Sequence, residues 1–114
     1  MDSEPPAGEV PAPVELVNDF LRGQNLEQIG KVDDAVELYE RGLREGFDSP
    51  GPYDRLIEIY SSRALHGEVV RVSQAALGAV HTHHAKKRWY ESMAEAARKA
   101  QQKVPTAAPK SRPE

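Results

Sequence analysis

Residues Gly30 to Leu43, GKVDDAVELYERGL, read as a turn followed by one amphipathic helix. Val32, Ala35, Val36, Tyr39, Gly42 and Leu43 recur at the helical period and make one apolar or small-residue face. Asp33 and Asp34 stand in the first turn, where carboxylates interact favourably with the positive end of the helix dipole. Gly46 is placed to close the helix in a left-handed conformation, with Arg44 in the last turn. A lone helix of this kind cannot bury its face, so the segments on either side must cover it.

Upstream, a helix is expected from about Val14 to Ile29, with Pro13 near its first turn, where a missing N–H costs least. Its predicted face is Val14, Val17, Phe20, Leu21 and Gln24, extended toward the turn by Leu26 and Ile29. Gly23 lies inside this helix. A mid-helix glycine costs roughly 0.5–1 kcal/mol relative to alanine, which points to a neighbouring helix approaching closely there. Downstream, FDSPGP offers Ser49 as a cap and Pro50 for a first turn, followed by a helix to about Ala64. Tyr53, Leu56, Ile57, Tyr60 and Ala64 make its apolar face. A fourth helix is expected from Gly67 to Val80, with Val69, Val72, Ser73, Ala76, Leu77 and Val80 inward. A fifth, from His83 to Lys103, puts Trp89, Met93, Ala96, Ala97 and Ala100 on one stripe, with core packing as the expected role of Trp89. Only EVVRV, Glu68 to Val72, has the composition of a strand in isolation. The fold class is therefore all-α, built from antiparallel helical hairpins and about five helices.

The hairpins repeat. Sliding the sequence along itself until Gly30 meets Ala64 also brings Leu26 onto Tyr60, Ala35 onto Val69, Val36 onto Val70, Gly42 onto Ala76 and Leu43 onto Leu77. At this period, with two helices per unit, the sequence resembles the tetratricopeptide repeat family. Gly23, Leu26, Ala35, Tyr39 and Gly42 match that family's small, large, alanine, aromatic and small packing positions in a first repeat. Tyr53, Leu56, Tyr60 and Ala76 match in a second, where Ile57, Val69 and Ser73 replace the usual small, alanine and aromatic residues. Asp19 and Arg22 stand where the first repeat would carry an aromatic and a leucine. The resemblance covers about residues 16–81 and implies two hairpins stacked as a short superhelix. Repeat one spans about 16–47, repeat two about 50–81, and a capping helix about 83–103.

Pro5, Pro6, Pro11 and Pro13 among acids and small residues mark 1–13 as a disordered acidic tail, and Pro105, Pro109 and Pro113 mark 104–114 as a disordered basic one. One helical domain, residues 14–103, is expected between them. The chain has no cysteine, which excludes a disulfide framework and a thiolate metal site. It carries neither a basic region followed by an apolar run at its N-terminus nor a stretch apolar enough to span a bilayer, so a soluble, cytoplasmic protein without a membrane partner is the expectation. The formal charge of −3 divides unevenly, −8 over residues 1–82 and +5 over 83–114. A solvated surface ending in a basic helix accounts for this, as would an acidic surface receiving a basic partner.

Catalytic and metal chemistry find little footing. His81, His83 and His84 lack the i, i+4 spacing that directs two imidazoles at one ion, and no carboxylate stands close in sequence. Ser61, Ser62 and His66 carry the atoms for acyl transfer without an acidic orienter or a glycine-rich turn, and no phosphate loop is present. Neither enzyme, metal nor cofactor is expected. Lys86, Lys87 and Arg88 beside Trp89 and Tyr90 suggest the alternative, a helical nucleic-acid-associated regulator using the basic last helix.

In tetratricopeptide arrays the first helix of each repeat lines a concave groove for peptides. Carried over by register, the resemblance implies Phe20, Gln24, Glu27 and Gln28 from repeat one and Asp54, Glu58, Ser61 and Ser62 from repeat two. The lysine and asparagine clamp that some members use for a terminal carboxylate is missing. Glu27, Asp54 and Glu58 would suit an Arg- or Lys-bearing segment instead. The leading expectation is a noncatalytic interaction adaptor or assembly subunit for a protein or peptide partner, with homodimerisation as another way to cover the exposed end of repeat two.

Overall fold

A computed structural model describes residues 13–81 and 83–103. Within them lie five α-helices and no strand: α1 Pro13–Gln28, α2 Val32–Arg44, α3 Pro50–Ser62, α4 His66–Ala79 and α5 His84–Lys103. The EVVRV segment is helical, inside α4. Apart from Pro13, which opens α1, the two proline-rich tails lie outside the described residues. The chain divides into two compact units, one ending at Phe47 and the other beginning at Asp48.

In the first unit α1 packs on α2 as a hairpin. Ala35, Tyr39 and Gly42 of α2 are buried, the inward stripe expected of that helix. The side of α1 that faces inward differs from the one hydrophobicity selected. Val14, Val17 and Leu21 are exposed, at 62%, 41% and 49%, whereas Leu16, Asp19 and Gly23 are buried. The physical reason lies on both helices. The Asp19 carboxylate stands 3.2 Å from the Arg41 guanidinium of α2, which compensates a charge turned inward, and Gly23 admits the Tyr39 ring. A Cβ at Gly23 would fall 2.5 Å from Tyr39 Cε1, so only glycine lets the two helices cross at this spacing.

In the second unit α4 packs against both α3 and α5. Tyr53, Leu56, Ile57 and Tyr60 of α3 meet a core completed by Val69, Val72, Ser73 and Ala76 of α4, as expected, whereas Ala64 is exposed past the end of α3 and Leu77 and Val80 are half-buried. On α5 the buried positions are Tyr90, Ala94 and Ala97, one residue displaced from much of the expected stripe. Trp89, Met93 and Ala100 are half-buried and Ala96 is exposed, so the aromatic core residue of this helix is Tyr90 rather than Trp89. The tyrosine goes inward because its hydroxyl finds a buried-side acceptor, while Trp89 stays under the Lys86 ammonium, 4.0 Å from its ring centroid.

The turn inside the first hairpin recurs inside the second. Gly30 N–H bonds Glu27 O, and Lys31 N–H bonds Leu26 O; Ala64 N–H bonds Ser61 O, and Leu65 N–H bonds Tyr60 O. The central residue is left-handed in both, Gly30 at φ 85° and Ala64 at φ 58°. Burial follows the same register: Asp19 and Tyr53, Gly23 and Ile57, Ala35 and Val69, Tyr39 and Ser73, Gly42 and Ala76 are buried at both members of each pair. Ala64 is the strained member, because a left-handed residue with a Cβ costs about 1–2 kcal/mol. Ala64→Gly should therefore raise stability by about 0.5–1 kcal/mol, read as a higher urea midpoint by circular dichroism. Gly30→Ala should lower it by a similar amount, since a Cβ there meets nothing within 4 Å and only the backbone conformation opposes it.

Ser49 occupies the N-cap of α3 in extended conformation, as expected, although its hydroxyl makes no capping hydrogen bond. Gly46 takes the left-handed conformation after α2, at φ 67°.

Candidate functional site

The eight positions expected to contact a partner fall on two helices, four on α1 in the first unit and four on α3 in the second. On α1 they recur at i, i+4, i+7 and i+8, which places them along one side. Gln24 and Gln28 are exposed. Phe20 is half-buried, its ring centroid 5.8 Å from that of Tyr39, and Glu27 is half-buried, accepting a 2.6 Å hydrogen bond from the Tyr39 hydroxyl. Two of the four thus belong to the packing of the hairpin and two face outward.

On α3 the same spacing holds with a similar division. Glu58, Ser61 and Ser62 are exposed. Glu58 pairs with Arg55 at 2.6 Å, and the Ser62 hydroxyl donates to Ile59 O at 2.7 Å. Asp54 is half-buried and doubly engaged: Oδ1 accepts the Tyr90 hydroxyl at 2.9 Å, and Oδ2 stands 3.0 Å from Lys86 Nζ. All three acids expected to receive a basic segment therefore already have partners within their own unit. An exposed pair such as Arg55–Glu58 is worth only about 0–1 kcal/mol and exchanges readily, whereas Glu27 and Asp54 hold buried tyrosines.

Lys86 and Tyr90, one turn apart on α5, are the partners of Asp54, a connection that sequence reasoning did not make. Their connection to Asp54 is distant in sequence and leaves no local signature. Burial raises the Tyr90 hydroxyl pKa above its ordinary value, and the hydrogen bond to Asp54, the charge of Asp54 and the nearby Tyr53 add to it. Burial, with the charge of Asp48, pushes Tyr53 up to about 12. The Tyr53 hydroxyl and the Ser73 hydroxyl are both buried without a hydrogen-bond partner among the described residues.

These shifts fix a pH dependence. A phenol whose folded pKa lies above its unfolded value stabilises the fold fully below about pH 10, the unfolded value, and loses that contribution as pH rises through the folded one. The second unit should therefore hold its stability up to about pH 10 and lose it progressively toward pH 12 and beyond. In a titration followed at the phenolate absorbance, Tyr53 and Tyr90, two of the four tyrosines, should ionise late and together with loss of helical ellipticity. Ionisation of Tyr53 and Tyr90 near pH 10 with the helices intact would contradict the burial described.

Candidate chemistry elsewhere is sparse. His81, His83 and His84 are exposed, and among the described residues no three His, Cys, Asp or Glu side chains gather as a metal site. Ser61 and His66 share a shallow cleft of about 170 Å³ with Val69, Met93, Ala96 and Ala97, which places no carboxylate beside the imidazole. Among the described residues no helix is long and apolar enough to cross a membrane. The chain matches no family model, no curated protein and no solved structure.

Proposed function

We infer that this chain is a noncatalytic protein-interaction module, a tetratricopeptide-like adaptor or assembly subunit working in the cytoplasm. What supports the reading is the burial that recurs at one register in both hairpins, Asp19 with Tyr53, Gly23 with Ile57, Ala35 with Val69, Tyr39 with Ser73 and Gly42 with Ala76. Stacked helical repeats present side chains from successive units on extended binding surfaces. The residues assigned to contact are the outward ones of each unit by itself, Gln24 and Gln28 on α1 in the first and Glu58, Ser61 and Ser62 on α3 in the second. Glu27 and Asp54 serve the reading indirectly, since their bonds to Tyr39 and Tyr90 brace the helices that carry the contacts. The partner is a peptide or helix that offers amide-compatible polar groups and one cation to displace Arg55 from Glu58.

The nucleic-acid reading draws on the exposed Lys87, Arg88, Arg98, Lys99 and Lys103 of α5. It is the weaker one. Lys99 lies 3.7 Å from Glu95, and the Trp89 face that would stack on a base already carries the Lys86 ammonium.

The test compares the immobilised full chain with a variant carrying Gln24→Ala, Gln28→Ala, Glu58→Lys and Ser61→Ala, all at exposed positions. Proteins recovered from native lysate by the wild type should fall at least tenfold on the variant, with helical ellipticity unchanged. Equal recovery by both would place binding elsewhere.

A further inference from the structure

The geometry points to a small-ligand site in the second unit, a cleft for an oxyanion head group on a short apolar stem. The cleft encloses about 250 Å³ and is lined by Leu77, Val80, His81, His84, Lys87 and Tyr90. Its size is below that of a drug-sized pocket and suits a ligand of a few carbons. Leu77 and Val80, at the end of α4, form with the Tyr90 ring an apolar floor. His84, Lys87 and Tyr90 recur every three residues on α5, which sets the imidazole and the amine along the same edge. His81 contributes a second imidazole from the connection before the helix.

The contrast between two adjacent lysines sets the charge preference. Lys86 is committed within the chain, to Asp54 and to the rings of Trp89 and Tyr90. Lys87 is exposed and lines the cleft, and among the described residues neither it nor the His81 and His84 side chains make an ion pair or hydrogen bond. Two acids bonded to residues of the cleft are turned to other tasks: Asp48 Oδ1 accepts the His81 backbone N–H at 2.8 Å, and Asp54 holds Tyr90 and Lys86. No carboxylate lines the cleft, so three nitrogen-bearing side chains converge on a space with an apolar floor and no countercharge. A carboxylate or a phosphate ester would give Lys87 a charge-assisted partner and the imidazoles an acceptor, while its stem covers Leu77 and Val80.

The full chain, labelled for amide and imidazole resonances, is titrated with hexanoate, hexyl phosphate, inorganic phosphate and hexylamine. Hexanoate and hexyl phosphate should shift the resonances of Leu77, His81, His84 and Lys87 saturably, and the tighter of the two identifies the head group. Hexyl phosphate should bind at least tenfold more tightly than inorganic phosphate, because the stem adds apolar burial. Lys87→Glu should weaken both amphiphiles at least fivefold, while Arg88→Glu, the same charge change on an exposed neighbour outside the cleft, should leave them within twofold. The proposal fails if hexylamine shifts the same resonances, if inorganic phosphate matches hexyl phosphate, or if Arg88→Glu weakens binding as much as Lys87→Glu.

Discussion

Replacing Tyr90 by alanine should lower the stability of the second unit by about 3–5 kcal/mol, the range for truncating a fully buried aromatic. The ring is 1% exposed and lies on the core side of α5, where the neighbouring inward residues are only Ala94 and Ala97. Two alanines offer little area, so this is the largest fully buried side chain of the helix, beside the half-buried Trp89 and Met93. Tyr90→Phe separates the ring from its hydroxyl. It should lose about 1.5–3 kcal/mol, the worth of a hydrogen bond to a charged acceptor, with Asp54 keeping Lys86 as its remaining partner. Urea unfolding followed by far-ultraviolet circular dichroism measures both. If Tyr90→Ala fell within about 1 kcal/mol of wild type, α5 would not depend on this anchor.

The second large effect concerns a pair of sizes. In the first unit tiny Gly23 faces large Tyr39, with Tyr39 Cε1 2.5 Å from where a Cβ would stand. At the corresponding positions of the second hairpin, Ile57 and Ser73 reverse that order, large residue on the first helix and small on the second, and both are buried. Gly23→Ile alone should destabilise the first hairpin by about 3 kcal/mol, because the ring has no room to retreat. It is held by Glu27 at 2.6 Å and flanked by Phe20. Tyr39→Ser alone should lose about 3–5 kcal/mol through the void it leaves. The double variant should lose less than either single one, with a coupling of about 3 kcal/mol or more in the cycle. Backbone amide exchange of α1 and α2 gives these values for the hairpin itself. Additive losses would mean that the two positions do not share one space.

The same two pairs show which parts of the fold were legible. The α2 stripe could be read because Ala35, Tyr39 and Gly42 are small or apolar in an otherwise charged helix, so periodicity had one solution. On α1 the apolar side chains Val14, Val17 and Leu21 point away from α2, and an aspartate and a glycine take inward places. No hydrophobicity pattern ranks Asp19 above Leu21. The ranking depends on Arg41, a residue of another helix. On α5 an alanine-rich sequence let adjacent registers fit almost equally, and the choice of Tyr90 over Trp89 was made by Asp54, far away in sequence. The candidate contact residues followed the same rule. Gln24, Gln28, Glu58, Ser61 and Ser62 are as open as their register implied, while Glu27 and Asp54 are engaged by tyrosines that a one-dimensional reading could not connect to them.

The position of the single tryptophan gives the chain an internal witness. Trp89 belongs to α5 and hence to the unit that begins at Asp48, so its emission reports the melting of that unit. Ellipticity, by contrast, sums over the helices of both units, the five of the described residues among them. One unlabelled wild-type sample observed both ways thus answers whether the halves unfold together: coincident curves mean one cooperative body, and an ellipticity change that leads or trails the fluorescence means two.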